Sequence, residues 1–153
     1  MESAYPFILT IHLFCATVFI GALFFWTFII SRAFRSKSRE DIGEECIEKS
    51  ETLISKHTRP ILLVVVTLLL LSGFAMFHPY AKALFEFDSA FALMFGVKIV
   101  LALIVGLLFY MMPYIHRSLK KRGTAEIVHD KLHLFMFVSV VFIVVLAKFM
   151  FYL

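Results

Sequence analysis

Charge is scarce in this chain of 153 residues: Asp, Glu, Lys and Arg together make up 17%. The opening stretch MESAYPF holds no basic residue, and the apolar run that follows is too long for the hydrophobic region of a signal peptide, so the first helix reads as retained. Cysteine is nearly absent. Cys15 sits in the first apolar run and Cys46 in the polar stretch after it, at different depths, which argues against an intramolecular disulfide. There is no internal repeat, no low-complexity tract and no nucleotide-binding loop. Polar sequence is also too short anywhere to form a separate soluble domain.

What is present is apolar. The chain is 61% hydrophobic, with 19 phenylalanines and a mean hydropathy of +0.93. A soluble domain of this length has too little interior to hide that much apolar surface. Four windows meet the need for roughly 20 apolar residues in a spanning helix: about Tyr5–Ile30, Pro60–Phe77, Phe91–Met112 and His133–Leu153. The expected fold is all-α, a single four-transmembrane-helix bundle over residues 1–153. The second window is the shortest and borrows from residues before Pro60.

The sequence pI near 9.2 suggests nucleic acid until the charges are placed. Arg32, Arg35, Lys37, Arg39, Lys49, Lys56 and Arg59 lie between the first two spans, and Arg117, Lys120, Lys121, Arg122 and Lys131 between the last two. The loop between the second and third spans holds only Lys82. This asymmetry orients a membrane protein by the positive-inside rule. It predicts a bacterial-type inner membrane protein with both termini outside and the two basic loops in the cytoplasm.

Local signals refine the boundaries. Glu44, Glu45, Glu48 and Glu51 alternate with Ile42, Cys46, Ile47, Leu53 and Ile54, which suits an amphipathic helix lying on the membrane surface or extending the second span. Pro60 suits the first turn of a transmembrane helix. FHPYAK is expected to close the second helix and MMPYIHRSLKKRG the third, because the residue before a proline disfavours helical geometry. Gly123 marks the turn that follows.

The informative residues are polar groups inside the spans. An ionisable side chain at mid-span costs about 2.5–3.5 kcal/mol on insertion scales. Lys148 is close enough to a helix end for its ammonium to snorkel to the interface. Lys98 lies about two turns inside the third span, roughly 10 Å from its start at 1.5 Å per residue. Ala102 and Gly106 share its face, and small residues mark where membrane helices approach each other, so Lys98 is expected to point into the bundle. His12 shares a face with Cys15, Ala16, Leu23 and Trp26. His12, Lys98 and Lys148 all fall in the outer third, with His78 at the same side. His57, His116, His129 and His133 gather at the other side.

Histidines on facing helices of a four-helix bundle commonly hold haem, with lysine or arginine pairing the propionates. One cluster offers His12 with Lys98 and Lys148; the other offers His57 and His133 beside Arg59 and Lys131. Copper is the competing chemistry, because Met76, Met94 and Met150 lie near His78 and His12, and thioether with imidazole suits Cu(I). Methionine is equally an ordinary adaptable packing residue.

At these residues the chain resembles the four-helix HemJ-type protoporphyrinogen oxidases and the related CopD copper-resistance membrane domains. IHLFCATVFIGALFFWTFIISRAF is similar to their first helix with its opening histidine, VKIVLALIVGLLFY to their third with its inward lysine, and VVFIVVLAKFMF to the HemJ-type ending. The resemblance implies a b-type haem in the bundle with His12 as an axial ligand, and a membrane oxidoreductase or electron-transfer protein, with protoporphyrinogen IX oxidation as the HemJ reaction. CopD-like copper transport or resistance is the alternative, and a cofactor-free assembly subunit a third. Gly96 stands where HemJ proteins carry a histidine two residues before the lysine, and HLFMFVSVV replaces their Glu-x-x-Pro-like opening of the fourth helix. A quinone or redox protein as electron partner and a homodimer are left open.

Overall fold

The computed structural model describes the backbone of residues 5–31, 44–83, 89–120 and 125–149, with the side chains of these except 44–48, 51, 78–83, 89–91, 116, 117, 119, 120, 125–127, 129 and 130. The side chains of Cys46, His78, His116 and His129, and all of Gly123 and Met150, lie outside the described residues.

The described chain is helical throughout. Helix α1 (Tyr5–Phe24) runs on into a π-helical segment, Phe25–Ile30; α2 covers Glu44–Ala83, α3 Ser89–Lys120 and α4 Ala125–Phe149. Among the described residues, four stretches are long and apolar enough to cross a membrane: Tyr5–Ile30, Thr52–Phe77, Ala92–Ile115 and Lys131–Phe149. The chain is a multi-pass membrane protein built on these helices.

Three boundary expectations need correction, all at prolines. Helix α2 begins sixteen residues before Pro60 and extends beyond Pro79, while α3 extends beyond Pro113. The amphipathic stretch therefore extends the second span instead of forming a separate surface helix. A proline removes one hydrogen bond to the carbonyl four residues back. At Pro60 and Pro113, which lie within spans, the flanking amides have no water to turn to, so the helix continues on either side of that single lost bond.

Faces separate cleanly. Phe19 and Leu23 of α1, Val66 of α2, Val105 and Phe109 of α3 and Met136 of α4 form the buried core, with the Phe19 and Phe109 rings edge to face at 5.5 Å. Phe7, Phe74 and Leu93 stand 69%, 75% and 70% exposed. Such rims would be untenable in water and suit acyl chains. Between helices in lipid there is no hydrophobic drive, so close packing holds them together. At Gly106 an added Cβ would come within 3.2 Å of Leu70 Cδ1, so the small-residue stripe is where α2 meets α3. Beside it, Thr67 Oγ1 donates to the Leu63 carbonyl at 2.7 Å. The Tyr110 hydroxyl, 2.6 Å away, donates to Thr67 in turn.

Candidate functional site

His12 lies three, seven and eleven residues before Cys15, Phe19 and Leu23, which are all buried. At 100° per residue those offsets return to one face, so the ring points into the bundle. Across from it on α2 is Ser72, itself buried. Ser72 Oγ is 3.0 Å from the Leu69 carbonyl and 2.9 Å from His12 Nδ1. A carbonyl only accepts, and a hydroxyl has one proton. Both contacts are satisfied together when Ser72 donates to Leu69 and His12 donates from Nδ1–H to Ser72. That assignment leaves Nε2 as the lone-pair nitrogen of a neutral imidazole.

Gly73 completes the seat. A Cβ there would meet His12 Cε1 at 3.3 Å and Nδ1 at 3.8 Å, so the ring lies against bare backbone. Lys98 faces the bundle from α3. It stands seven and eleven residues before the buried Val105 and Phe109, is half-buried, and its ammonium acts electrostatically on His12. The inward lysine and the first-helix histidine are therefore within electrostatic reach of each other. Ser72 and Gly73 were not among the expected site residues. Their only signal was an interruption of the run TLLLLSGF by one hydroxyl and one missing side chain.

The other candidates divide. Met76 lies one turn beyond Ser72, and Met94 one turn before Lys98; both are half-buried. The Phe77 and Phe95 rings stack at 6.0 Å, which brings these two turns to one level. Lys148 closes the last turn of α4. Fifteen residues separate it from His133 and fourteen separate Trp26 from His12, so stacking of Trp26 on His133 puts Lys148 level with His12. Its side chain is nevertheless exposed, on the face of the exposed Val141, Val144 and Val145, because α4 turns Met136 and Ser139 inward. His133 is about 21 Å from His12 along the bundle, at 1.5 Å per residue, and belongs to a different layer. His57 is exposed, its Nδ1–H donating to the Leu53 carbonyl at 2.9 Å.

Gly96 lies two residues from Lys98, about 200° round the helix. It opens onto an apolar concavity of about 430 Å³ lined by Ala92, Leu93, Val97, Val100 and Leu101, and a Cβ there meets nothing within 4 Å. A histidine at this position would face away from His12. Among the described residues no three of His, Cys, Asp and Glu gather as a metal site. The chain matches no protein-family model, no curated protein and no solved structure.

Proposed function

We propose that this is a haem-b-binding inner-membrane protein that handles electrons, a HemJ-like oxidoreductase or an electron-transfer relative, with His12 as an axial ligand. The observation that carries the reading is the His12–Ser72 pair. A ligating imidazole needs its other ring nitrogen held by an acceptor, which fixes tautomer and orientation, and Ser72 supplies that at 2.9 Å. The donor set fits the group: one neutral imidazole seated on Gly73, with one inward ammonium beside it. Haem, when bound, supplies one-electron oxidation and reduction. Lys98 pairs an anionic propionate and orients the group in the bundle. The charge asymmetry of the loops supports the orientation with both termini periplasmic.

Copper is the second reading, favoured by Met76 one turn beyond Ser72 and Met94 one turn before Lys98. Lys98 weighs against it, because an ammonium beside the imidazole repels a bare cation and attracts a group that carries carboxylates.

Absorbance before and after reduction decides between them. The expected result is a Soret band and a b-type reduced spectrum in protein from haem-replete cells, lost in His12→Ala and weakened in Lys98→Met. Colourless protein with stoichiometric copper would overturn the haem reading and select the alternative. Colourless, metal-free protein would overturn both.

A further inference from the structure

The π-helical segment lies at the end of α1 remote from His12, and it breaks a pattern. Thr10, Thr17 and Thr67 each donate to the carbonyl four residues back, at 2.8, 2.9 and 2.7 Å. This is the ordinary way a membrane helix satisfies a hydroxyl. Thr27 does not: its Oγ1 is buried and has no hydrogen-bond partner. The backbone around it differs as well: from Phe25 to Ile30 it is π-helical, closed by the Ser31 N–H to the Trp26 carbonyl five residues back. Such π turns are costly and concentrate at functional sites.

The hydroxyl has company. Trp26, its neighbour, stacks on His133 of α4 at 5.8 Å and 29°, and His133 Nδ1 is buried. One turn along the same seam Phe28 meets Phe137 edge to face at 5.3 Å, with Phe24 between them. Phe24, Phe25 and Phe28 are exposed, so the way to this seam leads through the lipid phase. Residues 19–31 carry no charged side chain. A ligand that fits is flat enough for an aromatic-lined seam and tipped with an acceptor oxygen for the Thr27 hydroxyl.

We propose that Trp26, Thr27 and His133 form a second site, about 21 Å from His12 by helix rise, that binds a lipid-soluble aromatic carbonyl compound of the quinone class. Thr27 Oγ1 donates to a carbonyl oxygen, and the stacked rings of Trp26 and His133 form one wall. The site stands independently of the haem reading.

The chain has one tryptophan, so Trp26 reports on its own site. Purified full-length protein in detergent micelles is titrated with menadione while Trp26 emission is followed, and 2-methylnaphthalene, alike in shape but without carbonyls, is the control. A site built to hydrogen-bond its ligand rejects the analogue that cannot. Menadione should quench saturably in the wild type. Thr27→Val should weaken binding about tenfold, and Thr27→Ser, which keeps the hydroxyl, should restore part of it. Quenching that stays linear with concentration, that is the same in the variants, or that the naphthalene reproduces would overturn the proposal. Far-UV circular dichroism of each variant establishes that it is folded, and where haem is present an unchanged Soret band shows the first site intact. Loss of haem in His12→Ala leaves the menadione titration readable, so the two readings fail separately.

Discussion

Removing the Ser72 hydroxyl leaves the His12 ring in place but unties its Nδ1–H. Partners of this kind, one bond away from a ligand, typically change affinity 10–100-fold. Ser72→Ala should therefore bind haem that much more weakly in titrations of haem-stripped protein, and an unchanged affinity would remove Ser72 from the site. Gly73 offers a steric counterpart. A Cβ already stands 3.3 Å from the ring, and the branched methyls of Gly73→Val would push the imidazole off its seat. Haem content should fall nearly as far as in His12→Ala. Gly21→Val is the control, since a Cβ at Gly21 meets nothing within 4 Å. His12 and Lys98 were legible in the sequence because polar groups are conspicuous in apolar spans and helical offsets give their faces. Ser72 and Gly73 were not, because a serine–glycine step in a leucine run reads as ordinary helix packing until the facing helix is known. Lys148 marks the limit of that method. Its depth could be counted from the chain, but its direction depended on which face of α4 Met136 and Ser139 claim.

At the scale of the helix, local rules were overruled wherever the bilayer left the backbone no alternative. The prolines were read as boundaries, which is sound in water, where freed carbonyls and amides find solvent. Pro60 instead lies well inside a helix of 40 residues. The π segment left no sequence mark at all, because FFWTFII has the composition of any aromatic-rich span. Its consequence is measurable. A buried hydroxyl without a partner costs about 1–3 kcal/mol, and valine has nearly the shape of threonine without the hydroxyl. Thr27→Val should stabilise the protein by about 1 kcal/mol or more in reversible SDS unfolding, while weakening menadione binding. Thr67→Val, which loses the bond to Tyr110, should destabilise by about 1 kcal/mol. Opposite signs from the same substitution would tie the cost at Thr27 to its site, the usual exchange of stability for function.

The whole bundle consists of two extensively packed pairs, α1 with α2 and α3 with α4, joined by thinner contacts of α1 with α4 and α2 with α3. That arrangement makes the His12 site depend on two different interfaces. His12 meets Ser72 within the first pair, but Lys98 arrives from the second pair, across the α2–α3 seam. The seam is set by Gly106 against Leu70 and by the Thr67–Tyr110 bond. Filling it should therefore part Lys98 from His12 without disturbing His12 and Ser72. Gly106→Leu is the substitution, because its side chain meets Leu70 where a bare Cβ would already stand 3.2 Å away. Two cysteine pairs measure the result in a Cys15→Ser, Cys46→Ser background: H12C with S72C, and H12C with K98C, each cross-linked by a short bis-maleimide. With Gly106 intact both pairs should cross-link. Gly106→Leu should lower the yield of the His12–Lys98 pair by about tenfold and leave the His12–Ser72 pair unchanged. Equal loss in both pairs would mean that the bundle yields as one body, and the division into two pairs would not stand.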